Sequence, residues 1–143
     1  MKASKITVVL RSILGLIFVA GPLASALHLI PDPAMPPGGA AFTAALAKTD
    51  YMLPLLWSTE IAAGVLLLSG LSTPFALVIL APVIVNIVAF HVFLVPSGMP
   101  PAILVSALEV SLAWRYRGAF RPLFKTARGQ QVSTAHEVRV GAA

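Results

Sequence analysis

An all-α fold, organised as a four-helix transmembrane bundle, is predicted for this chain from three observations. Hydrophobic residues make up 58% of its 143 residues and charged residues only 10%, whereas a soluble domain carries roughly a quarter charged residues. Four long apolar segments follow one another, and lysine and arginine are concentrated near the two ends of the chain. A soluble helical bundle would need charged outer faces, which these segments lack. We therefore expect a lipid bilayer to surround the protein.

The predicted spans have lengths suited to crossing a bilayer, which takes about 20 helical residues, with a range of roughly 17 to 25. The first three segments fit this length. The fourth reaches across only if Arg115 and Arg117 extend their side chains to the interface. The spans are predicted at 6–30, 51–69, 74–95 and 101–117, within a membrane unit of residues 1–118.

The connection after the first span is predicted to hold a surface helix. The stretch "PDPAMPPGG" at 31–39 cannot continue a helix, because its prolines lack the backbone N–H that the helix requires. Residues 39–48 favour a short helix with Phe42 and Leu46 on one apolar side. Asp50 is the predicted N-cap of the second span.

Two short turns separate the remaining spans. They are "SGLSTP" at 69–74 and "PSGMPP" at 96–101, and Pro101 suits the first turn of the fourth helix. Because connections this short join neighbouring antiparallel helices, the second, third and fourth spans should alternate in direction.

Charge predicts a multi-pass protein of the cell membrane with both termini in the cytoplasm. Basic residues precede or open the first span and end or follow the fourth, while the two short turns carry no charge. This pattern satisfies the positive-inside bias. It also explains the net charge of +5 without nucleic acid, so no nucleic-acid partner is expected.

The two ends of the chain carry further predictions. Residues 119–143 are predicted to be a basic cytoplasmic tail, partly interfacial and partly disordered. Its first part resembles a segment held by anionic lipid, and the alternative, which we favour, is an ordinary stop-transfer flank. A competing interpretation of the N-terminus is a secretory signal with a cleavage site at "ASA" (24–26). Arg11 interrupts the apolar stretch of that signal and Pro22 lies inside it, so we favour a first membrane span.

Five polar side chains within the spans are candidates for function, because such groups are costly in a bilayer and usually face the interior. Counted from the outer ends of the spans at about 1.5 Å per residue, Glu60, Asn86 and Glu109 lie roughly 13 Å deep, His91 roughly 6 Å and His28 roughly 3 Å. We expect Glu60, Asn86 and His91 to line one pocket, opening towards the outside. Three of the five polar side chains also have an alternative role: Asn86 in a bond between helices, His28 at the interface, and Glu109 in a neutral pair with Ser106 or an arginine.

Glu60 is the hardest to explain structurally, because a carboxyl near mid-membrane needs a close partner when ionised. Glu60 and His91 are therefore the candidate catalytic residues, as proton donor or acceptor. Trp57 lies one turn before Glu60, and Phe90 lies one turn after Asn86. These two rings could form the walls of a site for a flat ligand. No metal site is predicted, because neither carboxylate belongs to a Glu-x-x-His pair, and the absence of cysteine excludes thiol chemistry.

The chain resembles the DoxX family of small four-helix membrane proteins, in particular its DoxX-like branch. The most specific matching pieces are the glutamate of "STEIAAGVLLL" and the asparagine and histidine of "NIVAFHVFL", which are Glu60, Asn86 and His91. The resemblance implies a four-helix membrane bundle and a link to quinone-dependent redox systems, oxidative-stress enzymes or receptor assembly. It covers most of residues 11–123, through the segments "RSILGLIFVAGPLASALH", "YMLPLLWSTEIAAGVLLLSG", "PFALVILAPVIVNIVAFHVFL" and "LEVSLAWRYRGAFRPL".

Three functions follow as hypotheses. The leading one is an accessory or binding subunit that holds a lipophilic, quinone-like molecule, with a membrane-bound or peripheral oxidoreductase as a possible partner. Histidine, asparagine and a protonated glutamate can all donate hydrogen bonds to quinone carbonyls. The second is a membrane enzyme, an isomerase or oxidoreductase, with Glu60 as acid or base. The third is a structural or assembly partner of other membrane proteins, in which the polar groups only join helices.

Overall fold

The computed structural model describes residues 4–31 and 33–124, and its regular elements in these ranges are all helices. The predicted all-α class is thereby confirmed. Residues 125–143, most of the predicted cytoplasmic tail, lie outside the described residues. The α-helices are α1 (Lys5–Ala26), α2 (Pro37–Ala47), α3 (Met52–Ser69), α4 (Thr73–Phe93), α5 (Met99–Arg115) and α6 (Arg117–Phe120), with single 3₁₀ turns at Pro96–Gly98 and Arg121–Phe124.

Three of these helices, α1, α3 and α4, are long and apolar enough to cross a membrane. α5 has 17 residues and is not among them. These three helices support the expected membrane character of the chain by their length and composition. A fourth span and the direction of the termini stay predictions.

The ends of α1 and α3 differ from the predicted ones for local reasons. α1 begins at the cap residue Ser4, whose hydroxyl accepts a hydrogen bond from the Thr7 N–H at 3.3 Å. It ends at Ala26 rather than near residue 30, because His28 takes a left-handed conformation with φ 52°. Asp50 is also left-handed, with φ 59°, and the predicted Asp50 cap is wrong. The hydroxyl of Thr49 accepts from the Met52 N–H instead, at 3.1 Å.

The predicted short helix and turns are present. α2 lies at the segment expected at 39–48, but it begins two residues earlier, at Pro37, and ends one residue earlier, at Ala47. Gly70 ends α3 in a left-handed conformation with φ 70°, as is common after helices. The Arg11 guanidinium lies against this glycine, so that a side chain at position 70 would overlap it. Prolines occupy the first turns of α4 and α5, where their missing N–H costs nothing.

The long helices pack in pairs: α1 against α3, α3 against α4, α4 against α5, and α5 against α1. α1 and α3 approach each other closely at Gly15 and Gly64. A Cβ atom added to either glycine would lie 2.9 Å from the backbone oxygen of the other. The buried core that these pairs enclose consists of Leu14, Phe18, Ala63, Leu67, Ala76, Leu77, Leu80, Ile84, Val105, Leu108 and Leu112.

Candidate functional site

A cleft with a volume of about 570 Å³ opens among α1, α3, α4 and α5; we call it the inner cleft. α3 contributes Trp57 and Glu60, and α4 contributes Ile87 and His91. The structure therefore brings together the two residues predicted to handle protons, Glu60 and His91. The walls from α1 and α5 are formed by Ile17, Phe18, Gly21, Pro22, Ser25, Pro101, Ala102 and Val105.

Glu60 is the most polar group in the inner cleft. The residue is only 8% exposed, and no hydrogen bond or ion pair joins its carboxyl to another residue among those the structure describes. Because a buried polar group without a partner is costly, a carboxyl that lines a cleft in this state is suited to hydrogen-bond a ligand.

His91 has a defined orientation. Its Nδ1 lies 2.8 Å from the carbonyl oxygen of Ile87, one turn earlier in α4. A carbonyl oxygen only accepts hydrogen bonds, so Nδ1 must carry the proton, and Nε2 of the neutral ring is left as an acceptor. The ring packs against Gly98 of the following turn, leaving no room for a side chain there. Nδ1 is thereby occupied, so only Nε2 is left for a ligand, as an acceptor when the ring is neutral and as a donor when it is protonated.

Asn86 does not share the inner cleft. It lines a second cleft, of about 310 Å³, between α2, α3 and α4, which we call the side cleft. His91 and Ile87 line both clefts. Asn86 and His91 lie five positions apart, about 140° around the helix, and so face different sides of α4. The single pocket predicted for Glu60, Asn86 and His91 is therefore two clefts that meet at His91.

The two predicted aromatic walls are also divided between clefts. Trp57 lines the inner cleft, and Phe90 lines the side cleft. Both rings meet a third cleft, of about 620 Å³, beneath α2. Phe90 packs against Phe42 of α2 with ring centroids 5.5 Å apart, and against the edge of the His91 ring. α2 is thus held over the clefts by an aromatic contact.

His28 and Glu109 line none of these three clefts. His28 is exposed at the end of α1. Glu109 is buried in α5, and its Oε2 has no hydrogen-bond partner among the described residues. Ser106, proposed as its partner, donates to the carbonyl of Ala102 instead. Within residues 4–31 and 33–124, no group of three or more His, Asp or Glu side chains could hold a metal ion.

Gly98 and Ile87 are site residues that sequence reasoning missed. Ile87 supplies the carbonyl that orients His91, and Gly98 supplies the space for the ring. The i to i+4 spacing of Ile87 and His91 is visible in the sequence, because any helical residue has a carbonyl one turn before it. The contact with Gly98 depends on how the chain turns after α4, and the sequence contains no signal for it.

No protein-family model, curated protein or solved structure matches this chain. The resemblance to the DoxX family therefore stays a prediction.

Proposed function

We propose that this protein is a DoxX-like four-helix bundle of the cell membrane that binds a lipophilic small molecule in the inner cleft. The observation that carries the proposal is the meeting of Glu60 and His91, from two different helices, in a cleft whose other walls are mostly apolar. Apolar walls with a few convergent polar groups are typical of small-molecule sites. The protein would act as an accessory or binding subunit.

The polar groups define the chemistry of the ligand. Nε2 of neutral His91 accepts a hydrogen bond, so the ligand should present a hydroxyl or N–H to it. A protonated Glu60 both donates and accepts, so a carbonyl or a second hydroxyl suits that side. Trp57 offers an aromatic face to a flat ring. A hydroquinone or a related phenol meets these requirements on both sides, whereas a quinone offers acceptors alone.

Binding of methyl 4-hydroxybenzoate, a flat phenol with a carbonyl at the opposite end, tests the proposal. The measurement is equilibrium binding of the labelled ester to wild type, Glu60→Gln and Glu60→Leu in the same detergent. Removing a buried hydrogen-bonding partner costs about 1–3 kcal/mol, so Glu60→Leu should lower the affinity about 5- to 150-fold. Glu60→Gln keeps the shape and a hydrogen-bonding group and should retain part of the affinity.

Glu109→Leu is the matched control, because Glu109 is equally buried, with 8% exposure, but lines none of the three clefts. It should leave the affinity for the ester unchanged. Equal losses in Glu60→Leu and Glu109→Leu would mean that buried carboxyls support the fold rather than the site. Wild-type affinity and stability in Glu60→Leu would remove Glu60 from the site.

The same pair of residues favours proton transfer as a second candidate function. Glu60 and His91 are both groups that exchange protons, and they line one cleft. In such an isomerase or oxidoreductase, Glu60→Gln would fold and bind its substrate but lose about 100-fold or more in turnover. A binding subunit would show no turnover in any variant.

The proposed topology places both termini in the cytoplasm and the clefts towards the outer face of the membrane. It rests on the positive-inside pattern of the sequence, and it requires α5, which has 17 residues, to cross the membrane together with the three longer apolar helices. In this arrangement Arg117 and Trp114, which form a cation–π contact with a distance of 5.2 Å, lie at the cytoplasmic interface. Accessibility of cysteines introduced at Gly38 and at position 140 would test it; labelling of position 140 from outside would contradict it.

A further inference from the structure

The inner and side clefts share an edge on α4. Ile87 and His91 line both of them. The two residues are one helical turn apart and are joined by the hydrogen bond from Nδ1 to the Ile87 carbonyl. A molecule in the inner cleft that extends past this edge therefore enters the side cleft.

The side cleft differs chemically from the inner cleft. Its lining is almost entirely aliphatic and aromatic, with Asn86 and Thr43 as the only residues bearing polar side chains apart from His91. The Thr43 hydroxyl lies 3.1 Å from the carbonyl oxygens of Gly39 and Ala40 in its own helix, so it is satisfied locally. This leaves a surface suited to hydrocarbon, with the amide of Asn86 among its lining groups.

The side cleft also leads to the lipid-facing surface. Leu55 and Met52, which line it, are 57% and 39% exposed. A hydrocarbon chain lying in the side cleft can therefore continue into the surrounding bilayer without crossing polar surface. The inner cleft, by contrast, contains the Glu60 carboxyl, and the His91 imidazole lies at the edge that the two clefts share.

We infer that the ligand is a tailed amphiphile, with a flat polar head between Glu60 and His91 and a hydrocarbon tail that leaves through the side cleft. The inference rests on the proposed function, because it needs a head in the inner cleft. It adds the class of ligand and the route by which the tail reaches the membrane. Ile87 and His91 then contact the ligand where its head joins its tail.

Two esters and one blocked side cleft test the inference. Methyl and octyl 4-hydroxybenzoate share a head and differ only in the tail. Leu56→Trp places a large ring in the side cleft, since Leu56 lines that cleft and does not line the inner one. Equilibrium binding is measured in lipid nanodiscs and corrected with empty nanodiscs. Because both proteins see the same bilayer, partition of the octyl chain cancels in the comparison.

The expected result is a loss that depends on the tail. Leu56→Trp should lower the affinity for the octyl ester about tenfold, since the ring occupies the space of the tail, and change the affinity for the methyl ester less than about twofold. Val65→Trp is the matched control on the same helix, because Val65 is 50% exposed and lines none of the three clefts. It should change neither affinity. Leu46→Trp, from the α2 wall of the side cleft, repeats the test if Leu56→Trp lowers the thermal stability.

Three results would overturn the inference. Equal responses of both esters to the blocked side cleft would show that the tail lies elsewhere, while the proposed binding site stands. Loss of co-purifying phospholipid from Leu56→Trp, with both esters bound as before, would assign the side cleft to an acyl chain of bilayer lipid. Methyl ester binding that is absent or insensitive to Glu60→Leu would remove the proposed function and the inference together.

Discussion

Two regions of the helical assembly, which we call the close-packed end and the cleft end, are built from similar residues but packed differently. Around Gly15 and Gly64, α1 and α3 approach so closely that neither glycine could carry a Cβ without a shift of backbone, and Leu14 and Leu67 are fully buried. Around Trp57 and His91 the same two helices, with α4 and α5, enclose clefts. The difference does not lie in hydrophobicity, since both ends are predominantly apolar.

What differs is the space that glycine and proline leave between the helices. At the close-packed end, Gly15 of α1 and Gly64 of α3 face each other. The backbone oxygen of each lies where a side chain on the other would have to go. At the cleft end, Gly21 has no atom within 4 Å of the position of a Cβ, and Pro22 beside it lines the cleft. Small residues therefore close one end and open the other, depending on what lies opposite. We expect the close-packed end to hold the helices at the spacing that keeps the clefts open.

Gly64→Ala should have the largest effect on this contrast. The added Cβ would lie 2.8 Å from Cγ2 of Val19 and 2.9 Å from the backbone oxygen of Gly15. Overpacking of this kind costs about 1–3 kcal/mol, while the better helix propensity of alanine returns up to about 1 kcal/mol. We expect a net loss of about 1–2 kcal/mol in the free energy of unfolding, measured by denaturation in detergent.

Gly21→Ala is the control for Gly64→Ala, since it makes the same substitution in a helix at a position with no neighbouring atoms. It should be neutral or stabilising by up to about 1 kcal/mol. Equal stabilities of the two variants would mean that the glycine contact between α1 and α3 does not hold the helices together, and would break the comparison between the two ends.

Gly98→Ala should affect binding more than stability. Its φ of −89° is accessible to alanine, so the backbone is not strained, but the added Cβ would overlap the His91 ring. The ring must then turn away from its bond to the Ile87 carbonyl. We expect about a tenfold loss of affinity for methyl 4-hydroxybenzoate, measured by equilibrium binding, with little change in thermal stability.

Gly118→Ala serves as the control for Gly98→Ala, because a Cβ at position 118 meets no atom within 4 Å. Unchanged affinity in Gly98→Ala would indicate that the orientation of His91 is not needed for binding. Loss of affinity together with loss of stability would indicate that the turn supports the packing as well as the site.

Arg115→Leu should have the smallest effect and should leave the clefts untouched. Nη1 of Arg115 donates to the hydroxyls of Ser4 and Thr7, at 3.4 and 3.3 Å, and so joins the end of α5 to the start of α1. Both hydrogen bonds are long, and the one to Ser4 is exposed, so together they contribute about 1 kcal/mol. Hydrogen exchange should become faster in the first turn of α1, while ester affinity stays the same.

Arg117→Leu provides the comparison for Arg115→Leu, because Arg117 contacts Trp114 and its carbonyl rather than α1. It should leave exchange in α1 unchanged. If Arg115→Leu weakened ester binding, the contact between α5 and the start of α1 would be coupled to the clefts. The close-packed end and the cleft end could then no longer be treated as separate.

The sequence by itself determined the helical class, the apolar character of the membrane helices and most of their ends. These follow from composition and from the positions of proline and glycine, which act through the local backbone. The sequence also selected Glu60, Asn86 and His91, because polar groups in apolar helices are costly wherever they point. The prediction from the sequence failed at Asp50. This residue has a left-handed backbone conformation, and the hydroxyl of Thr49 accepts the hydrogen bond from the start of α3 in its place.

Only the tertiary structure decided which of the selected residues meet. Depth along a helix follows from counting residues, but the direction of a side chain relative to other helices depends on how those helices pack. Glu60 and Asn86 lie at similar depth and still line different clefts, because α4 turns Asn86 towards α2 and α3 and leaves His91 between the two. The orientation of the His91 ring and its place beside Gly98 likewise arise from contacts within and beyond its helix, which the order of residues does not specify.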